Sequence, residues 1–193
     1  MASSAYAASS RSVLADLIPG ERVRDAALIV TGAGLTGIAA QVSINTSLTP
    51  VPFTLQTLAV LVVGSALGPL RGSLSLLVYL LAGSAGVPWF AEHGHGWGGN
   101  PSFGYIISFV FAAGLAGFLA KRGADRHIVS TAALMVGGTV IVYLIGAGYL
   151  AWDLNLSAAQ AWKLGVQPFL ISDALKLGVA SLAFPAAWRL VRR

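Results

Sequence analysis

The sequence predicts an all-α integral membrane protein of six transmembrane helices. Three observations carry this expectation. First, the 193 residues are 56% hydrophobic and only 10% charged, with a mean hydropathy of +0.77, whereas a soluble domain carries about 25% charged residues. Second, six apolar segments alternate with short polar ones. Third, the basic residues concentrate in alternate loops. A transmembrane helix takes roughly 20 apolar residues, so six of them leave no room for a second soluble domain. Disordered chains are poor in apolar residues and rich in charge, the reverse of this composition. The net charge of +5 and pI near 10 do not point to nucleic acid, because the charge is divided among short loops and forms no patch. With no Cys, disulfides, thiol nucleophiles and Cys-ligated metals are excluded.

Residues 1–22 read as a cytoplasmic amino-terminal tail, and 23–193 as the transmembrane domain. The opening MASSAYAASS has no basic region ahead of an apolar one, so no secretory signal is expected. The first segment runs from Val23 to Ile44. Its Gly32, Ala33, Thr36, Gly37 and Ala40, spaced by three and four, form a small-residue face that a second helix can approach closely. That helix belongs either to this chain or to a partner subunit, in which case Ala33 and Gly37 are the docking residues. The second segment runs from Phe53 to Leu67, between Pro52 and Gly68-Pro69, and the third from Gly72 to Val87, stopping at Pro88. Both are short. Two spans are expected here, since a re-entrant hairpin would need its tip buried in protein. The remaining segments are Phe103–Ala120, Ile128–Trp152 and Pro168–Leu190.

Lys and Arg accumulate on the cytoplasmic side of membrane proteins. With six spans, Arg11, Arg22, Arg24, Arg71, Lys121, Arg122, Arg126, Arg189, Arg192 and Arg193 fall on one side, which accounts for 10 of the 12 basic residues. Both termini are therefore expected in the cytoplasm. The loops Asn45–Pro52, Pro88–Ser102 and Asp153–Gln167 then face out. Trp89, Trp152 and Trp162 fall at outer positions and Trp188 near the inner end, as interfacial anchors do; Trp97 is exempt, because it lies mid-loop beside the candidate site described below.

No Gly is followed by Lys, so the chain has no P-loop and any ATP must be used by another subunit. There is no G-x-S-x-G elbow and no H-E-x-x-H. His93, His95 and the adjacent Glu92 fall short of the usual three-ligand zinc set in favourable spacing and read as a solvated loop. The informative feature is GVQPFLISDALKLGVASL in the sixth segment. Each charge within a span costs about 2.5–3.5 kcal/mol on insertion scales, so Asp173 and Lys176 are candidates for function. They are spaced i, i+3 and share a helix face. Asp173 lies roughly 8 Å in from the outer end, at 1.5 Å per residue. Together the pair would form the floor of an outward-opening pocket, unless the two residues only neutralise each other. The loop WGGNPSFGY, with Gly98, Gly99 and Asn100, reads as a lid or as a plain turn. Thr54 and Gln56 lie near the outer surface.

These stretches resemble the BioY family, the biotin-specific substrate-binding (S) components of energy-coupling factor transporters. The resemblance rests on PVPFTLQTLAV at 50–60, GPLRGSLSLLVYLLAGSAGVPWF at 68–90, GNPSFGYIISF at 99–109 and GVQPFLISDALK at 165–176. It implies a six-helix S-component fold in a prokaryotic inner membrane and capture of biotin from outside. The implied partners are a transmembrane coupling (T) protein and two ABC-type ATPases, with no cofactor. Asp173 and Lys176 match the family's acid and base, and Asn100 its polar loop contact. Biotin offers ureido N–H donors and a carboxylate that needs a cation, while its apolar parts would take walls such as Phe53, Trp97, Tyr105 and Tyr143, with Gln56 as a polar contact. Residues i and i+3 lie only about 5–6 Å apart, less than extended biotin. Either biotin folds, or Asp173 orients Lys176 while Asn100 reads the ureido end. The competing expectations are a small intramembrane enzyme using Asp173 as acid or base, and a channel, which would need polar residues along a whole path.

Overall fold

The computed structural model describes residues 12–18, 22–97 and 99–191. The expectations for MASSAYAASS, Arg11, Gly98, Arg192 and Arg193 lie outside the described residues. Seven α-helices occur among the described residues: α1 (Arg22–Gln41), α2 (Gln56–Leu67), α3 (Pro69–Ser84), α4 (Phe103–Lys121), α5 (Ile128–Asp153), α6 (Ala158–Gly165) and α7 (Leu170–Val191). Four helical stretches are long and apolar enough to cross a membrane: α1, α4, α5 and the stretch from Ala158 to Leu190. With the composition above, this makes the chain a membrane protein.

The 12 residues of α2 and 16 of α3 give about 18 and 24 Å of helix at 1.5 Å per residue, less than the roughly 30 Å hydrocarbon core. Between them the chain turns on Gly68, whose φ of 87° lies in the left-handed region. Pro69 opens α3 in the first-turn position, where its missing N–H costs nothing. The turn is covered by Val13 and level with the end of α4, since Gly68, Arg71 and Lys121 line one cleft.

The core centres on α4, which packs against α2, α3 and α5. Its inward face of Ala112, Ala113, Ala116, Gly117 and Ala120 is small, and backbones come together there. A Cβ at Gly64 would lie 2.4 Å from the Ala113 carbonyl oxygen, and one at Gly117 2.3 Å from the Gly68 carbonyl carbon. Glycines within the apolar runs thus set helix spacing, as small residues do where packing replaces the hydrophobic effect.

Four expectations are corrected. The outer loop Asn45–Pro52 is an antiparallel hairpin, β1 (Ser43–Thr46) with β2 (Thr49–Thr54), so the chain is mostly helical and not all-α. Thr49 and Val51 are buried and Pro50 is exposed; this period of two suits a strand, and prolines at alternate positions of an edge strand forfeit no ladder bond. The outer loop at 153–167 contains α6, which Ser157 and Gln160 open with reciprocal capping bonds. The small face of α1 is covered within the chain. Ala33 is 1% exposed, a Cβ at Gly32 would lie 2.6 Å from Ser75 Oγ, and one at Gly37 would lie 3.3 Å from Trp89 Cβ. Ala33 and Gly37 are therefore packed within this chain, with Gly37 against the loop that follows α3. Finally, Trp188 is buried and donates from Nε1 to Asp125 Oδ2 at 2.6 Å, rather than anchoring at an interface.

Several of the basic residues assigned to one side do gather at one end. Arg71 bridges Asp16 at 2.9 Å and Asp25 at 3.1 Å, and Arg24 pairs with Asp25 at 2.7 Å. Arg126 donates to the Ser12 carbonyl at 3.3 Å and lies 4.6 Å over the Trp188 ring. Asp125, fully buried in the loop between α4 and α5, has its pKa pushed up chiefly by burial.

Candidate functional site

At the opposite end a cavity of about 380 Å³ opens between the hairpin, the start of α2, the loop before α4 and the adjoining halves of α4, α5 and α7. Its floor is polar. The first turns of α7 put Asp173 and Lys176 on one face, with Lys176 Nζ 2.6 Å from Asp173 Oδ1. Thr57, in the first turn of α2, accepts from Lys176 Nζ at 2.9 Å and donates to the same Asp173 oxygen at 3.2 Å. The other carboxylate oxygen accepts from the Tyr143 hydroxyl of α5 at 2.7 Å. Asp173 is 7% exposed, and these donors stabilise a carboxylate taken out of water. The ammonium has three N–H donors and spends two here, which leaves one for a ligand.

The walls combine ring and aliphatic surface from Tyr105, Ile106, Phe109, Val142 and Phe169 with Pro50 and Pro52 of β2. The Tyr105 hydroxyl donates to the Gly165 carbonyl at 2.6 Å, so its ring is held as a wall and its polar end is occupied. Gln56 donates to the Tyr79 hydroxyl at 2.8 Å, which donates on to the Trp89 carbonyl at 3.1 Å. That chain ties α2, α3 and the loop together behind the cavity. Asn100 Oδ1 accepts from the Ser102 amide at 2.9 Å and Asn100 lines the cavity.

Of the eight residues expected at the site, Asp173, Lys176, Asn100, Tyr105, Gln56 and Tyr143 converge on this cavity. Phe53 stands one layer behind, its ring 4.7 Å from that of Phe169, which lines the wall. Trp97 does not join them: it is 81% exposed, as an interfacial anchor would be. Thr57 was missed, although it adjoins Gln56 in TPVPFTLQTLAV, where the next polar residue after a singled-out one was the available signal. A second, larger cleft of about 630 Å³ between α5, α6 and α7 is lined almost wholly by apolar side chains and meets the first at Tyr143 and Asp173.

The chain matches the family model described as "BioY family" over residues 8–193. It is similar to proteins named probable biotin transporter BioY from Pyrococcus horikoshii and biotin transporter BioY from Thermotoga maritima. The first is 37% identical over 82% of this chain and 93% of that protein; the second is 34% identical over 81% and 86%. A biotin transporter BioY from Rhizobium etli is 32% identical over 69% of this chain and 75% of its own length. Among solved structures, the fold is similar to the S-component for biotin from an ECF-type ABC transporter, with a TM-score of 0.76 and 22% identity over 89% of this chain and 92% of that one. A match over nearly the whole length, with relatives above 30% identity, places this chain in the BioY family.

Proposed function

We propose that this chain captures biotin from the outer side of a prokaryotic plasma membrane, as the substrate-binding subunit of a vitamin uptake transporter. One observation carries the reading: a lysine held by Asp173 and Thr57, with a donor to spare, at the floor of a cavity of about 380 Å³. That volume is in the range of small-molecule sites, about 300–1,000 Å³. Lys176 meets the valerate carboxylate, and Asp173 orients Lys176; the apolar walls take the bicycle and chain. This resolves the spacing problem, because the two charged residues act at the same end of the ligand. Names of the relatives and their solved counterpart support the ligand. Transporter relatives and a carboxylate already occupied on both oxygens leave the intramembrane enzyme without support. With six spans, both termini are cytoplasmic. Energy input comes from a transmembrane coupling protein with a pair of ABC ATPases, a reading supported by the likeness to an S-component of an ECF-type ABC transporter.

Equilibrium binding by calorimetry on the detergent-purified chain tests the site. Lys176→Met removes the cation from the ligand's carboxylate, and truncating one partner of a buried charge pair costs about 2–5 kcal/mol of binding, roughly one and a half to three and a half decades in affinity. Biotin should suffer that loss, and biotin amide much less. Equal loss for both ligands would remove Lys176 from the carboxylate.

A further inference from the structure

Glu92 is a charged side chain on the cavity wall with no role in the site described so far. It stands exposed at the mouth, opposite the buried floor of Asp173. Its position depends on unusual backbone. Glu92 and His93 have φ of 60° and 59°, a left-handed region costly for residues other than glycine, and such conformations persist where the surroundings hold them. Gln41, the last residue of α1, holds them. Its Oε1 accepts from the His93 amide at 3.2 Å, and its Nε2 donates to the carbonyls of Phe90 at 3.0 Å and Trp89 at 3.2 Å. From the other side, Asn45 of β1 donates from Nδ2 to Glu92 Oε1. Both Asn45 and Glu92 line the cavity.

We infer that Glu92, with Asn45 beside it, reads the ureido ring of the ligand and so fixes the direction in which the ligand lies. The assignment rests on biotin as the ligand. A cyclic urea presents N–H, C=O and N–H in a row: donor, acceptor, donor. A carboxylate next to a carboxamide presents the complement: a carboxylate oxygen, an amide N–H and an amide oxygen. Asn45 Nδ2 has two hydrogens, so one can serve Glu92 and the other the urea carbonyl. Charge selects the same direction. Among the described residues, Lys176 is the cation on the cavity wall, and it is at the floor. A ligand lying the other way would bring its carboxylate up to Glu92 with no cation at the rim to offset the repulsion. Gln41 is a positioning residue: it touches no ligand and sets where Glu92 stands.

The probe is 2-iminobiotin, in which an imine replaces the urea oxygen and is protonated to a guanidinium at neutral pH. Binding of biotin and 2-iminobiotin is measured side by side on the full chain in detergent. A rim carboxylate favours the cationic ring, so the wild type should bind 2-iminobiotin within about tenfold of biotin. Glu92→Gln should weaken 2-iminobiotin about tenfold more than biotin, since it removes the charge and keeps the shape. Gln41→Ala should shift the ratio the same way, which a purely structural role would not do. A ratio unchanged in Glu92→Gln, with biotin still bound, overturns the assignment of Glu92 and leaves the biotin site standing. A wild type that binds neither ligand overturns the biotin reading itself.

Discussion

Thr57 shows how much one hydroxyl can carry at the floor of this site. It accepts from Lys176 at 2.9 Å and donates to Asp173 at 3.2 Å, so it fixes the ammonium relative to the carboxylate. Thr57→Val keeps the branched shape and removes both bonds. The ion pair survives, but the ammonium loses one of the two contacts that aim it. A buried donor left unsatisfied costs about 1–3 kcal/mol, so calorimetry should show biotin weakened by roughly one decade, well short of the loss in Lys176→Met. Affinity at the wild-type value would make the hydroxyl irrelevant to the ligand. Asp173 and Lys176 were legible in the sequence because the bilayer penalises each of them, and the neighbouring polar motifs gave Gln56 and Asn100. Trp97 was misplaced for a physical reason. Gly96 and Gly99 adopt φ of 84° and 67°, and glycines flanking a residue permit a turn without saying toward which side it leads. Glu92 was not legible as a site residue, because its aim depends on a side chain of α1 that lies 52 residues from His93 in sequence.

At the scale of elements, the apolar runs located α1 to α5 and α7 to within a few residues, because burial in lipid demands continuous apolar sequence. The hairpin and α6 escaped for the opposite reason: both lie outside the apolar runs, where turn and cap chemistry decides. Ser157 with Gln160 was a readable capping signal, and the alternation of Thr49, Pro50 and Val51 a readable strand signal. The small face of α1 was legible as a face but not by its partner, since a helix patterned for close approach does not name what approaches. The structure supplies α3 and Trp89. Ala33→Leu and Gly37→Leu should therefore act on folding, with overpacking typically costing about 1–3 kcal/mol. At Gly37 the side chain would push on Trp89, whose carbonyl Gln41 and Tyr79 both hold. Thermal stability in detergent and biotin binding should then fall together. A variant that bound biotin normally, melted normally and failed only in uptake would return this face to a partner subunit.

The whole molecule is polarised along the bundle axis. One end collects ion pairs of Arg24 and Arg71 with Asp16 and Asp25, the contact of Arg126 with residue 12, and Lys121 on the same cleft. The other end holds the hairpin, α6 and the mouth of the cavity, where Glu92 supplies the charge at the rim. Arg and Lys near helix ends favour the cytoplasmic side, so the proposed orientation puts the basic end in and the cavity mouth out. The short α2 and α3 fit this frame. Their turn at Gly68 is level with Lys121 and covered by Val13, so the turn between α2 and α3 lies at the basic end. Orientation is therefore a property of the whole chain and is open to a direct check. Single Cys substitutions at His93 and Ser157, both exposed in the outer loops, should react with a membrane-impermeant thiol reagent added to intact cells. A Cys at Ala124 should react only after the membrane is opened, and the absence of native Cys keeps the background clean. Labelling at position 124 in intact cells would invert the molecule, and with it the side to which the cavity opens.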